Sequence, residues 1–299
     1  MNAGVDGQVL KGGGRLAAYA NFVKVAHTVF ALPFTLVGIA TASRGHSLRW
    51  QTVALAVVAF GSARFAAMGF NRIADVRFDA LNPRTAGREL PSGRMSLREA
   101  WILVLLTSAL FFLAAALLNP LCLLLSPVAL AWVIGYSFSK RFTSLSHLWL
   151  GWGLAIAPVG GYLAVAGAWS TPWWVLLVLG ASVACWVGGF DVLYALQDEE
   201  FDRSHGLRSL PARLGAVKAI SVARALHVAA IGLLADFAAG AHYGAFFWAA
   251  IGLAAVLLAW EHRLVRPGDY SKLDAAFFTM NGIISAVVAA GAIADALFG

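Results

Sequence analysis

Nine apolar runs of roughly twenty residues, separated by short polar connectors, leave this chain few ways to fold. They fall near residues 27–43, 51–70, 99–118, 121–139, 148–168, 172–196, 215–237, 243–261 and 273–296. A run of that length crosses the ~30 Å hydrocarbon core of a bilayer as an α-helix. A helix also satisfies its own backbone hydrogen bonds where no water is present. With 60% hydrophobic and only 12% charged residues, the 299-residue chain has no polar stretch long enough for a separate soluble domain. The expectation is an all-α integral membrane protein, one domain over residues 1–299, with nine transmembrane helices and a polar tail over 1–22. Asn119-Pro120, between the third and fourth runs, reads as a tight helical hairpin.

Charge placement orients the bundle. Of 22 Lys and Arg, 17 lie in the N-terminal tail or in segments following the second, fourth, sixth and eighth runs, and Lys218 at the start of the seventh makes 18 on that side. By the positive-inside rule the N-terminus is cytoplasmic and the C-terminus outside, which requires an odd number of spans. The net charge of +7 follows from the same asymmetry. No basic stripe is interleaved with exposed aromatics, so nucleic acid is excluded as a partner. Ala40-Thr41-Ala42 mimics a signal-peptidase site, but a long polar leader precedes it and eight more spans follow. Cys122 and Cys185 are isolated thiols with packing roles.

Against this background two acidic clusters stand out. The first is Asn71-x-x-x-Asp75-x-x-x-Asp79; the second is Asp191-x-x-Tyr194-x-x-x-Asp198-x-x-x-Asp202. Carboxylates near a bilayer are costly and mark function. Spacings of four and seven residues place each set on one helical face, where like charges repel unless a cation neutralises them. Hard oxygen donors without thiolate or imidazole point to Mg²⁺, which takes few carboxylates and leaves positions for phosphate oxygens. Asn71, Asp75, Asp79, Asp198 and Asp202 are the candidate metal ligands. Arg84 and Arg88, in a Pro- and Gly-punctuated loop after the first cluster, and Lys140-Arg141, after the fourth run, are placed to clamp a diphosphate. Arg72 either reaches the same diphosphate or anchors its helix end. Arg94, Arg98, Arg263 and Arg266 read as membrane-edge anchors.

These residues resemble the UbiA superfamily of intramembrane aromatic prenyltransferases. The likeness rests on Asn71-x-x-x-Asp75-x-x-x-Asp79 with Arg84-Thr85 and Arg88, on Asp191-x-x-Tyr194-Ala195-x-x-Asp198-x-x-x-Asp202, and on Tyr136 to Thr143 with Leu148 to Gly151. It covers nearly the whole chain. Within it, Asn82-Pro83-Arg84-Thr85 and Phe190-Asp191 resemble the quinone-pathway branch. The resemblance implies a nine-helix bundle around a central cavity, capped on the cytoplasmic side and open laterally to lipid, with two Mg²⁺ ions bridging the diphosphate to the acidic motifs. It also implies transfer of a polyprenyl group from polyprenyl diphosphate to a small aromatic acid, 4-hydroxybenzoate first and a dihydroxynaphthoate as the alternative. A bacterial plasma membrane is the expected location.

On that chemistry Asp191, deeper than Asp198, orients the acceptor's phenol or takes its proton, and Tyr194 hydrogen-bonds the diphosphate or the acceptor. The other reading pairs Asp191 and Tyr194 with one another. Arg64, seven residues before Asn71, is the candidate for the acceptor's carboxylate, with Lys24 and His27 as further candidates and an intrabundle ion pair as the structural alternative for Arg64. His147, His227 and His262 have no ligand spacing and read as core or interfacial. Against a cation-coupled transporter, the clustered acids sit at cytoplasmic helix ends and none marks a route through the outer half. A membrane phosphatidyltransferase would carry its acids in a single motif.

Overall fold

The computed structural model describes residues 15–23, 25–270, 273 and 279–299, the side chains of 16, 17 and 25–30 excepted. It is helical, with no strand among those residues. A short α1 (Arg15–Phe22) leads into α2 (Val25–Ser43), α3 (Trp50–Ala74), α4 (Val76–Leu81), α5 (Leu97–Leu118), α6 (Pro120–Ser139) and α7 (Ser146–Ala166). Then come α8 (Trp173–Tyr194), a 3₁₀ turn (Ala195–Asp198), α9 (Glu199–Ser204), α10 (Leu210–Leu214), α11 (Ala216–Gly240), α12 (Ala245–Leu264) and α13 (Asn281–Phe298). Among the described residues eight helices are long and apolar enough to cross a membrane. The 19-residue α2 packs in the same bundle against α7 and α13. With it, each of the nine apolar runs has a long helix over its described residues.

The surface is that of an integral membrane protein. Leu105, Leu106, Leu113, Leu117, Leu124 and Val128 on α5 and α6 are more than half exposed, which only a lipid surround makes favourable. Trp50 and Trp173 stand exposed at the N-terminal ends of their helices, as interfacial anchors do. The α5–α6 connection is a single residue. Asn119 accepts the Cys122 N–H through Oδ1 at 2.9 Å, donates Nδ2 to the Leu163 carbonyl at 2.9 Å, and is followed by Pro120 in the first helical turn.

The interior is organised around α8, fourteen of whose 22 residues are buried. It packs on α7 on one side and on α11 on the other. Gly151 of α7 sits so near the Ala184 carbonyl that a Cβ there would overlap it, and Gly161 of α7 stands in the same relation to the Thr35 carbonyl of α2. Small residues of this kind let membrane helices approach backbone to backbone. Gly160, one position away, has nothing within 4 Å of where its Cβ would be.

Adjacent glycines therefore make a paired test. Gly161→Ala should destabilise the detergent-purified protein by about 1–3 kcal/mol through overpacking at the α2–α7 crossing. Gly160→Ala should be neutral or slightly stabilising, since Ala is the better helix former. Thermal melting of both variants checks it; equal melting temperatures would contradict the backbone-to-backbone packing.

Candidate active site

Both acidic motifs interrupt their helices. Their spacing predicts one continuous helical face in each; the structure instead bends both at the same place. Asp75 ends α3 with φ −100° and ψ 6°, and Asp198 ends the 3₁₀ turn after α8 with φ −103° and ψ 6°. Each is followed by a six-residue helix, α4 or α9, whose first turn carries the second carboxylate, Asp79 or Asp202. The bridge-region backbone and the 3₁₀ tightening are common at functional sites. Asp191 is thus not stacked over Asp198 on a regular helix; it lies on α8 itself, with the 3₁₀ turn between them.

The bends turn the carboxylates of both motifs towards one cavity of about 220 Å³, bounded by α3, α6, α7 and α8. Asn71, Asp75, Asp79, Asp191, Tyr194, Asp198 and Asp202 all line it. So do Arg64, Arg84, Arg88, Lys140 and Arg141, while Met68, Leu150, Leu154 and Phe190 give it an apolar part. Lys24 and the side chain of His27 lie outside the described residues. Arg72 is buried and its guanidinium approaches the Asp79 carboxylate at 3.8 Å.

Asp75, Asp79, Asp198 and Asp202 are each engaged by a cation from outside their own helices. Arg84 grips Asp198 with both prongs, Nε to Oδ1 at 3.0 Å and Nη2 to Oδ2 at 2.5 Å. Asn82 adds Nδ2 to Oδ1 at 3.0 Å, and its own Oδ1 accepts the Arg84 backbone N–H. Arg88 reaches Asp79 at 2.6 Å, Lys140 reaches Asp202 at 3.2 Å, and Arg141 reaches Asp75 at 3.3 Å. Asn71 donates Nδ2 to Asp75 at 3.0 Å. The loop after α4 is thereby tied to the second motif, and Lys140 at the end of α6 is tied to α9. Thr85 closes the loop through its hydroxyl to the Asp79 carbonyl at 3.0 Å.

Tyr194 packs beneath Arg84, the guanidinium carbon 5.5 Å from the ring centroid and Nη1 3.4 Å from the hydroxyl oxygen. Asp191 is not its partner. Asp191 Oδ2 lies 2.7 Å from Nδ1 of the fully buried His147 on α7. The sequence alone gives His147 only a core or interfacial role, because no spacing ties a residue at the start of α7 to one near the end of α8.

Among the described residues no three His, Cys, Asp or Glu side chains converge as a ready-made metal cage. The donor set still fits a hard divalent ion. The available ligands are carboxylate and amide oxygens, two pairs from opposite sides of one cavity, and Mg²⁺ takes one or two carboxylates plus phosphate and water. Burial raises the Asp75 carboxyl above its ordinary range, and Asp79 adds to this, against the pull of Arg141. At Lys140 burial works to lower the ammonium, yet Asp202, Asp198 and Asp191 together hold it above its usual value.

The architecture is that of known membrane-embedded prenyltransferases. The model of the UbiA prenyltransferase family matches residues 31–283, and the chain belongs to that family. It is 29% identical over 274 residues to a 4-hydroxybenzoate octaprenyltransferase of Cronobacter sakazakii, covering 89% of this chain and 91% of that one. An apo UbiA homologue from Aeropyrum pernix K1 superimposes with a TM-score of 0.81 at 37% identity, covering 90% of this chain and 98% of that one. A UbiA homologue from Archaeoglobus fulgidus bound to GPP and Mg²⁺ shares the fold at TM-score 0.68 and 21% identity, covering 94% of this chain and 99% of that one. Family membership removes the transporter and phosphatidyltransferase readings.

The raised Asp75 carboxyl carries a signed consequence. Because the folded state holds this proton more tightly than the unfolded chain does, ionised Asp75 weakens the ligand-free fold at neutral pH and ceases to do so in acid. Asp75→Asn, without ligands, should melt above the parent at pH 8, with the difference closing as pH falls through the carboxyl range. Melting curves at several pH values check it; an Asn variant less stable at pH 8 contradicts it.

Proposed function

We propose that this prenyltransferase transfers a polyprenyl group from polyprenyl diphosphate to 4-hydroxybenzoate, at the cytoplasmic face of a bacterial plasma membrane. The observation that carries the reading is the single cavity in which two carboxylate motifs and the cations Arg84, Arg88, Lys140 and Arg141 meet an apolar wall. The named relative supports the acceptor, and the Mg²⁺ and GPP of the Archaeoglobus homologue support the metal and the donor class. The placement of 18 of 22 basic residues supports an N-terminus and active site inside, and a C-terminus outside.

Asn71, Asp75 and Asp79 on one side, and Asp198 and Asp202 on the other, would hold Mg²⁺, which when bound neutralises charge on the diphosphate. The arginines and Lys140 bind its non-bridging oxygens, and this charge stabilisation makes pyrophosphate the better leaving group. The allylic C–O bond breaks with its electron pair going to the pyrophosphate. Met68, Leu150, Leu154 and Phe190 keep water from the resulting carbocation. Arg64, two turns deeper on α3 than Asn71, takes the acceptor's carboxylate. Asp191 accepts the phenolic proton as the ortho carbon forms the new C–C bond. The ring C–H proton then leaves with the pyrophosphate, and Asp191 returns its proton to the oxygen. Tyr194 holds the Arg84 guanidinium over the diphosphate position.

Three variants separate these roles. Asp198→Asn should abolish turnover and Mg²⁺-dependent binding of labelled polyprenyl diphosphate while the protein stays folded. Asp191→Ala should keep that binding yet transfer the prenyl group at least about 100-fold more slowly, the scale of a positioned proton-transfer group. Loss of diphosphate binding in folded Asp191→Ala would move that residue to the metal. Arg64→Ala should raise the KM for the acceptor and leave diphosphate binding unchanged. Competing 4-hydroxybenzoate against a dihydroxynaphthoate, with mass-spectrometric product analysis, decides the acceptor; exclusive use of the naphthoate overturns the one proposed.

A further inference from the structure

The geometry points to His147 as the positioning residue for Asp191, held in one tautomer by the backbone of the loop after the second acidic motif; this rests on the proposed acceptor-side role of Asp191. His147 lies in the first turn of α7 and is fully buried. Its two ring nitrogens have partners of different kinds. Nε2 lies 3.2 Å from the backbone nitrogen of Leu210, the first residue of α10, and Nδ1 lies 2.7 Å from Asp191 Oδ2. A backbone N–H only donates, so Nε2 must present its lone pair. The ring proton then resides on Nδ1 and is donated to the carboxylate.

The consequences for Asp191 are specific. Its Oδ2 is occupied by a donor that the fold fixes in place, and Oδ1 makes no hydrogen bond among the described residues. Since His147 already accepts at Nε2 and donates at Nδ1, it has no capacity to pass a proton onward. A proton taken up by Asp191 stays on Asp191 until it is returned. His147 therefore orients the carboxylate and does not relay. The arrangement also connects the site to the cytoplasmic loop. Arg208, two residues before Leu210, donates its backbone N–H to the Lys140 carbonyl at 2.7 Å and its side chain to the Phe142 carbonyl at 2.8 Å. One short segment thus docks against the end of α6 beside a diphosphate cation and sets the imidazole behind Asp191.

Two amide substitutions split the imidazole's functions. His147→Asn places an amide N–H near the Nδ1 position and keeps a donor for Asp191, while giving up the contact to Leu210. His147→Gln places its amide near the Nε2 position, keeps an acceptor for Leu210, and gives up the donor to Asp191. Single-turnover prenyl transfer and Mg²⁺-dependent binding of labelled prenyl diphosphate are measured in both, each alone and in an Asp191→Ala background. The expected result is that His147→Gln slows transfer by about 100-fold with diphosphate binding retained, that His147→Asn recovers most of the loss, and that neither change slows transfer further once Asp191 is Ala. His147→Asn performing no better than His147→Gln overturns the proposal, as does a loss that persists undiminished in the Asp191→Ala background. If Asp191→Ala alone transfers normally, the acceptor-side reading itself fails, a result distinct from either.

Discussion

Charge neutralisation among side chains from different helices is the constraint on which this protein depends. Asp79, Asp198 and Asp202 are all buried, and each has a cation at contact distance. Removing one partner of a buried pair leaves an uncompensated charge, at a cost of about 3–5 kcal/mol. The pairs also have a topological effect. Arg84 and Lys140 reach from the first half of the chain to Asp198 and Asp202 in the second, so the cytoplasmic end is laced across the cavity rather than along it. The hydrophobic effect contributes little to holding helices together inside lipid; close glycine crossings and these polar ties hold them instead.

The two acidic motifs are versions of one local structure. In each, a long membrane helix ends, an aspartate takes up φ near −100° and ψ near 6°, and a six-residue helix carries a second aspartate four residues on. The equivalence extends four residues upstream to Asn71 and Tyr194, both of which line the cavity. Beyond the second aspartate the motifs diverge. The first continues into the Asn82–Arg88 loop that crosses to Asp198, and the second into the Arg208–Leu210 segment that docks on α6 and His147.

Much of this is legible in the sequence because the bilayer leaves few options. Hydropathy places nine helices, and Asn119-Pro120 announces a hairpin that the structure makes with one linking residue. The acidic spacings and the neighbouring basic loops identify the residues that meet in the cavity. What the sequence conceals is where helical spacing stops applying. Nothing in Asn71 to Asp79 or Asp191 to Asp202 signals a bend, since Asp is compatible with either conformation, so a continuous face is the natural expectation. His147 is hidden for a different reason. Its partners, Asp191 and Leu210, are 44 and 63 residues away, and only the packing of α7 on α8 brings them together.

The grip of Arg84 on Asp198 bears on turnover. A guanidinium paired with a carboxylate of its own chain has a tethered anion competing for it, present at a high effective concentration. On the proposed role of Arg84 in diphosphate binding, an incoming diphosphate would have to displace that carboxylate, which caps the affinity that Arg84 can contribute. The same competitor is ready when pyrophosphate departs, so release exchanges one anion for another and strands no charge. On that proposal, ground-state binding is weakened and the cycle does not end in a trapped product.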